Sequence, residues 1–391
     1  MSIFRQFRSL DLAAAIGFMA YAATATITPI CLVILARELS FSLVAAGALE
    51  VARSVLAIAV MLVSGFLAAH FGKVRSLGWA GLLLGVGMFV YAVAPTYGVI
   101  VIALALLGIG GGVMDALINP LVCELHPQDA GRFLNFINAF WSVGVLITML
   151  LSGELLTRGV SWRFIAAGIG VVGIFSGVAF LFFGRNKARV ANQRLTEVWD
   201  HKRGLLGKPA FWLFFAALFV AGAIEGAFTF WSASLIQLEF GGSPRAAGLA
   251  AASFAAGMIA ARLTWGLFLR QRHLWHLLVG SCLLGIPVSL LLPLAPQVVT
   301  AILLLFGGGV ACAALWPSIQ SYAVDRLRVD ATALFILLSC GGIPGFAFSA
   351  WLMGFIGDSV GLRVSFWCLP GLFVVLLVLL LRERRPWESK A

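Results

Sequence analysis

The sequence has little charge for its length. Only 11% of its 391 residues are Asp, Glu, Lys or Arg, against roughly a quarter in a soluble globular chain. It has five histidines, all in inter-span loops or at span ends, and six cysteines (31, 123, 282, 312, 340 and 368) with no CxxC pair. This scarcity argues against a structural metal site and against a disulfide scaffold, and the thiols read as free and buried. No cofactor is expected. An integral-membrane enzyme is the least supported reading, because no nucleophile–base arrangement appears and no histidine lies at depth to serve one.

What is abundant is apolar: 61% of the residues are hydrophobic and the mean hydropathy is +1.03. A helix needs about twenty apolar residues to cross the hydrocarbon core. About twelve such runs occur, near 11–37, 42–70, 77–94, 98–122, 133–157, 161–183, 210–238, 244–270, 274–293, 296–322, 331–357 and 361–381. Strands are disfavoured, because an open sheet edge cannot be satisfied in lipid. The expected fold class is therefore all-α integral membrane with twelve transmembrane helices. The start MSIFRQFRSLDLAA resembles a signal n-region, but the apolar run continues past signal length without a cleavage site and is read as the first span.

The formal charge of +11 invites a nucleic-acid reading, yet its distribution argues otherwise. Outside the spans, about 20 Lys and Arg fall on the side holding both termini and about 5 on the other. Arg53 and Arg262, inside spans, complete the 27. The asymmetry is the positive-inside rule, so both termini are expected in the cytoplasm, in a bacterial inner membrane. Lipid is an expected partner; nucleic acid is not.

The longest polar segment, 184–209, carries seven Lys or Arg and separates six spans from six. It reads as a cytoplasmic linker containing a short amphipathic helix, between an N-terminal domain (1–183) and a C-terminal domain (210–391). The halves repeat. GGGVMDALINP (110–120) matches GGGVACAALWP (307–317), and the pairs Gly47/Gly248, Gly65/Gly266, Gly144/Gly345 and Gly153/Gly354 all share an offset of 201. Several elements at one offset indicate a duplicated six-helix unit. Six helices return the chain to its starting side, so the repeats run parallel, with a midplane site expected between them.

The stretch Gly108–Gly144 concentrates polar groups inside otherwise apolar spans. Asp115 and Asn119 stand four apart on one helical face, and Asn135 and Asn138 three apart on a face of the next helix. A carboxylate at depth costs at least a few kcal/mol and faces the bundle interior or a water-filled path. Glycines beside Asp115 let a neighbouring helix approach closely. These residues point to a binding cavity.

On these residues the chain resembles the major facilitator superfamily over essentially its whole length. Within that superfamily, Gly108-x-Gly110-x4-Asp115-x3-Asn119-Pro120, followed by Leu134-Asn135-x-x-Asn138-x-Phe140-x-Ser142-x-Gly144, is similar to the fucose permease-like branch. The Ala261-Arg262 pair resembles that branch's Gly-Arg signature. The resemblance implies proton-coupled uptake of a monosaccharide or related small polar solute. By it, Asp115 matches the helix-four carboxylate, while Asn135, Asn138 and Trp141 match helix-five positions facing the sugar. Two departures stand out: Gly17–Pro29 contains no acid, and Ala69 occupies the position of the usual Asp in the loop after the second span.

Each candidate has a functional and a structural reading. Asp115 is a proton carrier or a structural acid paired with Asn119 or Arg53. Glu225, with Thr229 at i+4, is a second proton carrier, a sugar acceptor, or a buried acid satisfied by a neighbouring helix. Glu50 and Arg53, three apart, form a structural pair, or Arg53 balances Asp115. Arg262 reads as gating or structural charge. Asn119, Asn135 and Asn138 offer the donors and acceptors a neutral polyol needs, or join helices. Trp141, Trp231 and Trp316 stack on a sugar ring or mark interfaces; Gln320 shares the face of Trp316, and Tyr21 is a weaker candidate. Pro29, Pro120, Pro317 and Pro344 are expected to bend their helices. The GIGGGV run has a dinucleotide-like spacing but no preceding strand, so that mechanism cannot operate.

The sequence thus points to a secondary active transporter, proton-coupled for uptake of a small hydroxylated solute by alternating access, and functional as a monomer. Two rivals remain: a proton-coupled exporter of drugs or metabolites, whose hallmark Gly-Pro is missing from the fifth span, and a transporter of an organic or sugar acid anion held by Arg53 or Arg262. A receptor without flux is the rival from another class.

Overall fold

Apolar runs bounded by capping residues and glycine turns set the helices. The computed structural model describes residues 7–126, 130–184, 205–268, 273–327 and 331–383, which are helical nearly throughout and contain no strand. The helices are α1 (Ser9–Glu38), α2 (Leu43–Phe71), α3 (Lys73–Ala92), α4 (Tyr97–Leu125), α5 (Ala130–Thr157), α6 (Trp162–Phe183), α7 (Pro209–Glu239), α8 (Pro244–Phe268) and α9 (Leu274–Leu291). They are followed by α10 (Val298–Cys312), α11 (Leu315–Leu327), α12 (Ala331–Val360), α13 (Leu362–Ser365) and α14 (Cys368–Arg382).

Among the described residues eleven spans are long and apolar enough to cross a membrane. The twelfth is α8, rich in Ala and Gly and packed against α5, α7 and α10. A helix surrounded by protein needs small residues more than leucines. The tenth span is α10 plus α11, broken at Ala313–Ala314, and the last is α13 plus α14. The outer surface is apolar: Phe164 is 76% exposed, Val93 74% and Trp79 63%. An apolar belt of that extent suits lipid and not water. The amphipathic segment expected in the linker lies at 185–204, outside the described residues.

The helices zigzag between two ends. The near end carries the starts of α1 and α7 and the ends of α6 and α14; the far end carries the turns at 39–42, 158–161, 240–243 and 361. Within the first half α3 packs on α6, α2 and α3 on α4, and α1 on α5; in the second, α9 packs on α14, α8 on α10 and α7 on α12.

The duplication is visible in side-chain bonding. Arg163 bonds Glu38 (2.6 Å) and the carbonyls of Ala92 (3.1 Å) and Ala94 (2.8 Å). Two hundred residues on, Arg363 donates through its side chain to the carbonyls of Pro293 (2.6 Å) and Ala295, and through its backbone N–H to Glu239 (3.2 Å). Pro293, Ala295 and Glu239 are the +201 counterparts of Ala92, Ala94 and Glu38. Each clip binds the start of its half's last span to the turn between the third and fourth, satisfying carbonyls that helix ends leave free.

The halves meet along two crossings, α2 with α12 and α5 with α8, while α1 touches α7. Glycines set the distance. A Cβ on Gly47 would strike the Ala350 carbonyl and one on Gly354 the Leu43 carbonyl; at the counterpart crossing Gly248 meets Met149 O (2.5 Å) and Gly153 meets Pro244 O (2.7 Å). All four glycines lie within about three turns of the far end.

Candidate functional site

The first half builds its polar cluster from four helices. From Gly110 to Ile118 on α4 only Asp115 is not buried, and the next open position is Asn119. The i, i+4 face read from the sequence is thus the face turned to open space. Gly108 and Gly112 bring α4 against α2, where an added Cβ would meet the carbonyls of Arg53 and Ala57. That approach puts the Arg53 guanidinium within electrostatic range of Asp115. Arg53 is itself paired to Glu50, with Nε donating at 3.0 and 3.1 Å and Nη2 bonding the same carboxylate, and it stands beside the Tyr21 hydroxyl. Glu50, 4% exposed, is a buried carboxylate that the pair satisfies. Asp115 has no hydrogen-bond partner among the described residues.

On α5, Asn138 donates to the Asn119 side-chain oxygen (2.9 Å) and is exposed. Side-chain amides carry both donors and acceptors, as a hydroxylated solute needs. Trp141, one turn farther along, packs its ring on Tyr21 at 4.6 Å between centroids; Gly111 makes room for Tyr21, because a Cβ there would collide with the ring. Asn135 is also on α5, and its side chain lies outside the described residues.

The second half mirrors this pattern with different residues. From Val220 to Ile236 on α7 only Glu225 and Thr229 are not buried, again an i, i+4 face. Arg262 on α8 acts electrostatically on Glu225. Its Nε donates to the Ala313 carbonyl (3.1 Å) and its Nη1 to Ser142 on α5 (3.3 Å). The Ala313 carbonyl is available because residue 317, four positions on, is proline and has no N–H to offer. Arg262 supplies the missing donor, at the break between α10 and α11, and joins the two halves at mid-depth. On α11, Trp316 is partly exposed and lies over Gly342, while Gln320 donates to Ser339 (3.2 Å).

Trp231 is not brought to this space. It is fully buried, its indole N–H bonds the Ala350 carbonyl (3.1 Å), and it fills the packing between α7 and α12. Glu50 and Arg53 are paired with each other, and Arg53 also lies within electrostatic range of Asp115. At Pro29, Pro120 and Pro344 the helices continue; the break falls before Pro317.

Sequence reasoning noted Ser142 only as a member of the α5 motif and missed Ser339, whose hydroxyl carried no signal beyond position. It also missed a buried Asp11–His126 contact, with Nε2 2.9 and 3.0 Å from the carboxylate oxygens and the imidazole stacked on Phe133 at 3.5 Å. That pair ties the near ends of α1, α4 and α5 together. An apolar hollow of about 450 Å³ between α2, α3 and α4, lined by Leu67, Phe71, Trp79, Leu83 and Val113, is separate from these polar groups and suits lipid chains. Among the described residues no three His, Cys, Asp or Glu side chains converge as metal ligands would.

The profile of the Major Facilitator Superfamily matches residues 13–238 and 230–391. An uncharacterized transporter of Sinorhizobium fredii, y4wD, is 24% identical over 332 residues, covering 81% of this chain and 83% of that protein. Among solved structures, a bacterial homolog of the human lysosomal transporter Spinster, inward-facing and occupied, superposes with a TM-score of 0.76 at 14% identity, over 97% of this chain and 98% of that one. The E. coli fucose:proton symporter superposes with a TM-score of 0.68 at 14% identity, over 96% and 98%. At these identities the structural likeness is one of fold.

Proposed function

The chain belongs to the Major Facilitator Superfamily and is a transporter, not an enzyme; from that premise we propose that it takes up a small hydroxylated solute, a monosaccharide or derivative, together with a proton. The observation that carries this reading is the open face shared by Asp115, Asn119 and Asn138. Asp115, which has no hydrogen-bond partner among the described residues, stands one turn from a pair of amides that bond each other. Amides carry the donors and acceptors that suit hydroxyls, and Trp141, Trp316, Gln320 and Asn135 belong to the same proposal.

Charge supports a neutral solute. Among Glu50, Arg53, Asp115, Glu225 and Arg262, three carboxylates face two guanidiniums and leave one negative charge when all are ionised. In a water-poor occluded state that charge is costly, and one proton on Asp115 cancels it. Glu225 assists as a second acceptor near Arg262. An anionic solute would restore the imbalance unless a second proton accompanied it, so the sugar-acid reading requires two protons per solute.

With both termini cytoplasmic in a bacterial inner membrane, the near end is the cytoplasmic side, and the far-end crossings close the periplasmic path. One chain then holds a whole pathway and works as a monomer. Purified protein in liposomes containing a pH dye, exposed to sugars, polyols and sugar acids, tests the proposal. Luminal acidification by a sugar, abolished in Asp115→Asn while exchange persists, is the expected result. Uphill uptake retained in Asp115→Asn sinks the proton role. Uptake without acidification moves the reading to a facilitator or sodium symporter, and silence for every sugar moves it to an exporter.

A further inference from the structure

At the far end each half caps a helix of the other. The first backbone N–H groups of a helix lack intrahelical partners. On α2, Ser42 Oγ accepts from Ala45 N (3.2 Å), and the Asp358 carboxylate, at the end of α12, accepts from Leu43 N (2.9 Å) and Val44 N (2.8 Å). On α8, Ser243 Oγ accepts from Ala246 N (3.3 Å), and Thr157 Oγ1, at the end of α5, accepts from Arg245 N (2.8 Å). Every partner is the +201 counterpart of the other set: Ser42 and Ser243, Val44 and Arg245, Ala45 and Ala246, Thr157 and Asp358. The substitutions between the sets are matched as well. Where the first has Leu43, the second has Pro244, which has no N–H. Two donors accordingly meet a two-oxygen carboxylate, and one donor meets a hydroxyl. Thr157 spends its own proton on the Gly153 carbonyl (2.8 Å), which leaves its oxygen to accept.

We infer that these reciprocal caps are the latch that holds the far end shut, with Asp358 as its stronger half. The caps are intact only while α2 meets α12 and α5 meets α8; parting the halves returns Leu43, Val44 and Arg245 N–H to water. The Asp358 cap is charge-assisted and complements the positive end of the α2 dipole. The Glu154–Arg245 bonds (2.5 and 3.0 Å) add a bidentate ion pair on the α5–α8 side. The latch is independent of solute and coupling ion.

The test uses the full chain in lipid nanodiscs with spin labels at Thr96→Cys and Gln297→Cys, far-end counterparts in the two halves. Both are exposed helix N-caps that make no capping bond. The half-buried native thiols are removed by Cys123→Ser, Cys340→Ser and Cys368→Ser. Pulsed dipolar distances then report the ratio of separated to closed far ends without any substrate. Asp358→Asn keeps the shape but loses the charge and one acceptor, and it should raise that ratio by about tenfold, the size of a lost helix cap. Thr157→Ala should raise it in the same direction by less. An unchanged ratio in Asp358→Asn overturns the inference. Should that variant not be recovered folded, an unchanged ratio in Thr157→Ala does so.

Discussion

At the residue scale the decisive feature is that each buried charge has a stated partner or a stated opening. Glu50 and Arg53 satisfy one another inside α2, so removing one leaves the other unpaired in low dielectric. Arg53→Ala should destabilise the protein by about 3–5 kcal/mol, and the double variant Glu50→Gln/Arg53→Gln should recover most of that, as read by unfolding in detergent. A double variant no more stable than the single would show that Arg53 stabilises chiefly through Asp115. The faces of Asp115 with Asn119 and of Glu225 with Thr229 were legible in the sequence, because a polar pair at i, i+4 in an apolar helix has few places to point. Trp231 was not legible. An indole in a span reads equally as stacking surface or as packing, and only the Ala350 carbonyl decides between them. The Asp11–His126 contact was hidden for a similar reason, since its partners are 115 residues apart at opposite termini of different helices.

At the element scale the broken tenth span carries the consequence. Helix α10 ends at Cys312 and α11 begins at Leu315 because Pro317 withholds a donor from Ala313, and Arg262 fills the gap. Pro317→Ala returns the N–H, so α10 and α11 should join, with slower amide exchange over residues 313–317 and Arg262 released from the carbonyl. Turnover should fall if the break is needed for motion; unchanged exchange at those amides would refute the account. The proline was visible in the sequence and was read as a bend. Its conversion to a break depended on an arginine 55 positions earlier, which no local pattern reveals. The span count was legible because length and apolarity suffice, and α8 shows the limit of that criterion: a helix enclosed by protein is built from alanine and glycine.

At the scale of the whole molecule the duplication governs, and it was read from paired glycines and one matching glycine-rich stretch. Three of the four glycine pairs at offset 201, Gly47/Gly248, Gly144/Gly345 and Gly153/Gly354, proved to be points where backbones come close, which is why they persist when side chains around them differ. The clips at Arg163 and Arg363 share the offset in their partners but not a detectable sequence motif. They brace separate halves and share no partner, so Arg163→Ala and Arg363→Ala should each lower the thermal midpoint, and the double variant should lose close to the sum. A loss in the double well beyond the sum would mean that the halves do not hold themselves together independently. The reciprocal caps escaped the sequence because Asp358 and Thr157 look like ordinary polar residues at span ends, and their donors lie 315 and 88 residues away in the chain. Pro244 makes these two seams different in kind. On the latch proposed above, the α2–α12 seam is tied at its rim by two charge-assisted bonds. The α5–α8 seam is tied at its rim by one neutral bond and an ion pair, and again at mid-depth by Arg262 and Ser142. A door bolted at its edge and again at its middle yields in two steps. Along α5 and α8 the rim would therefore part before the depth does, and an entering solute would meet that second tie beside Trp141.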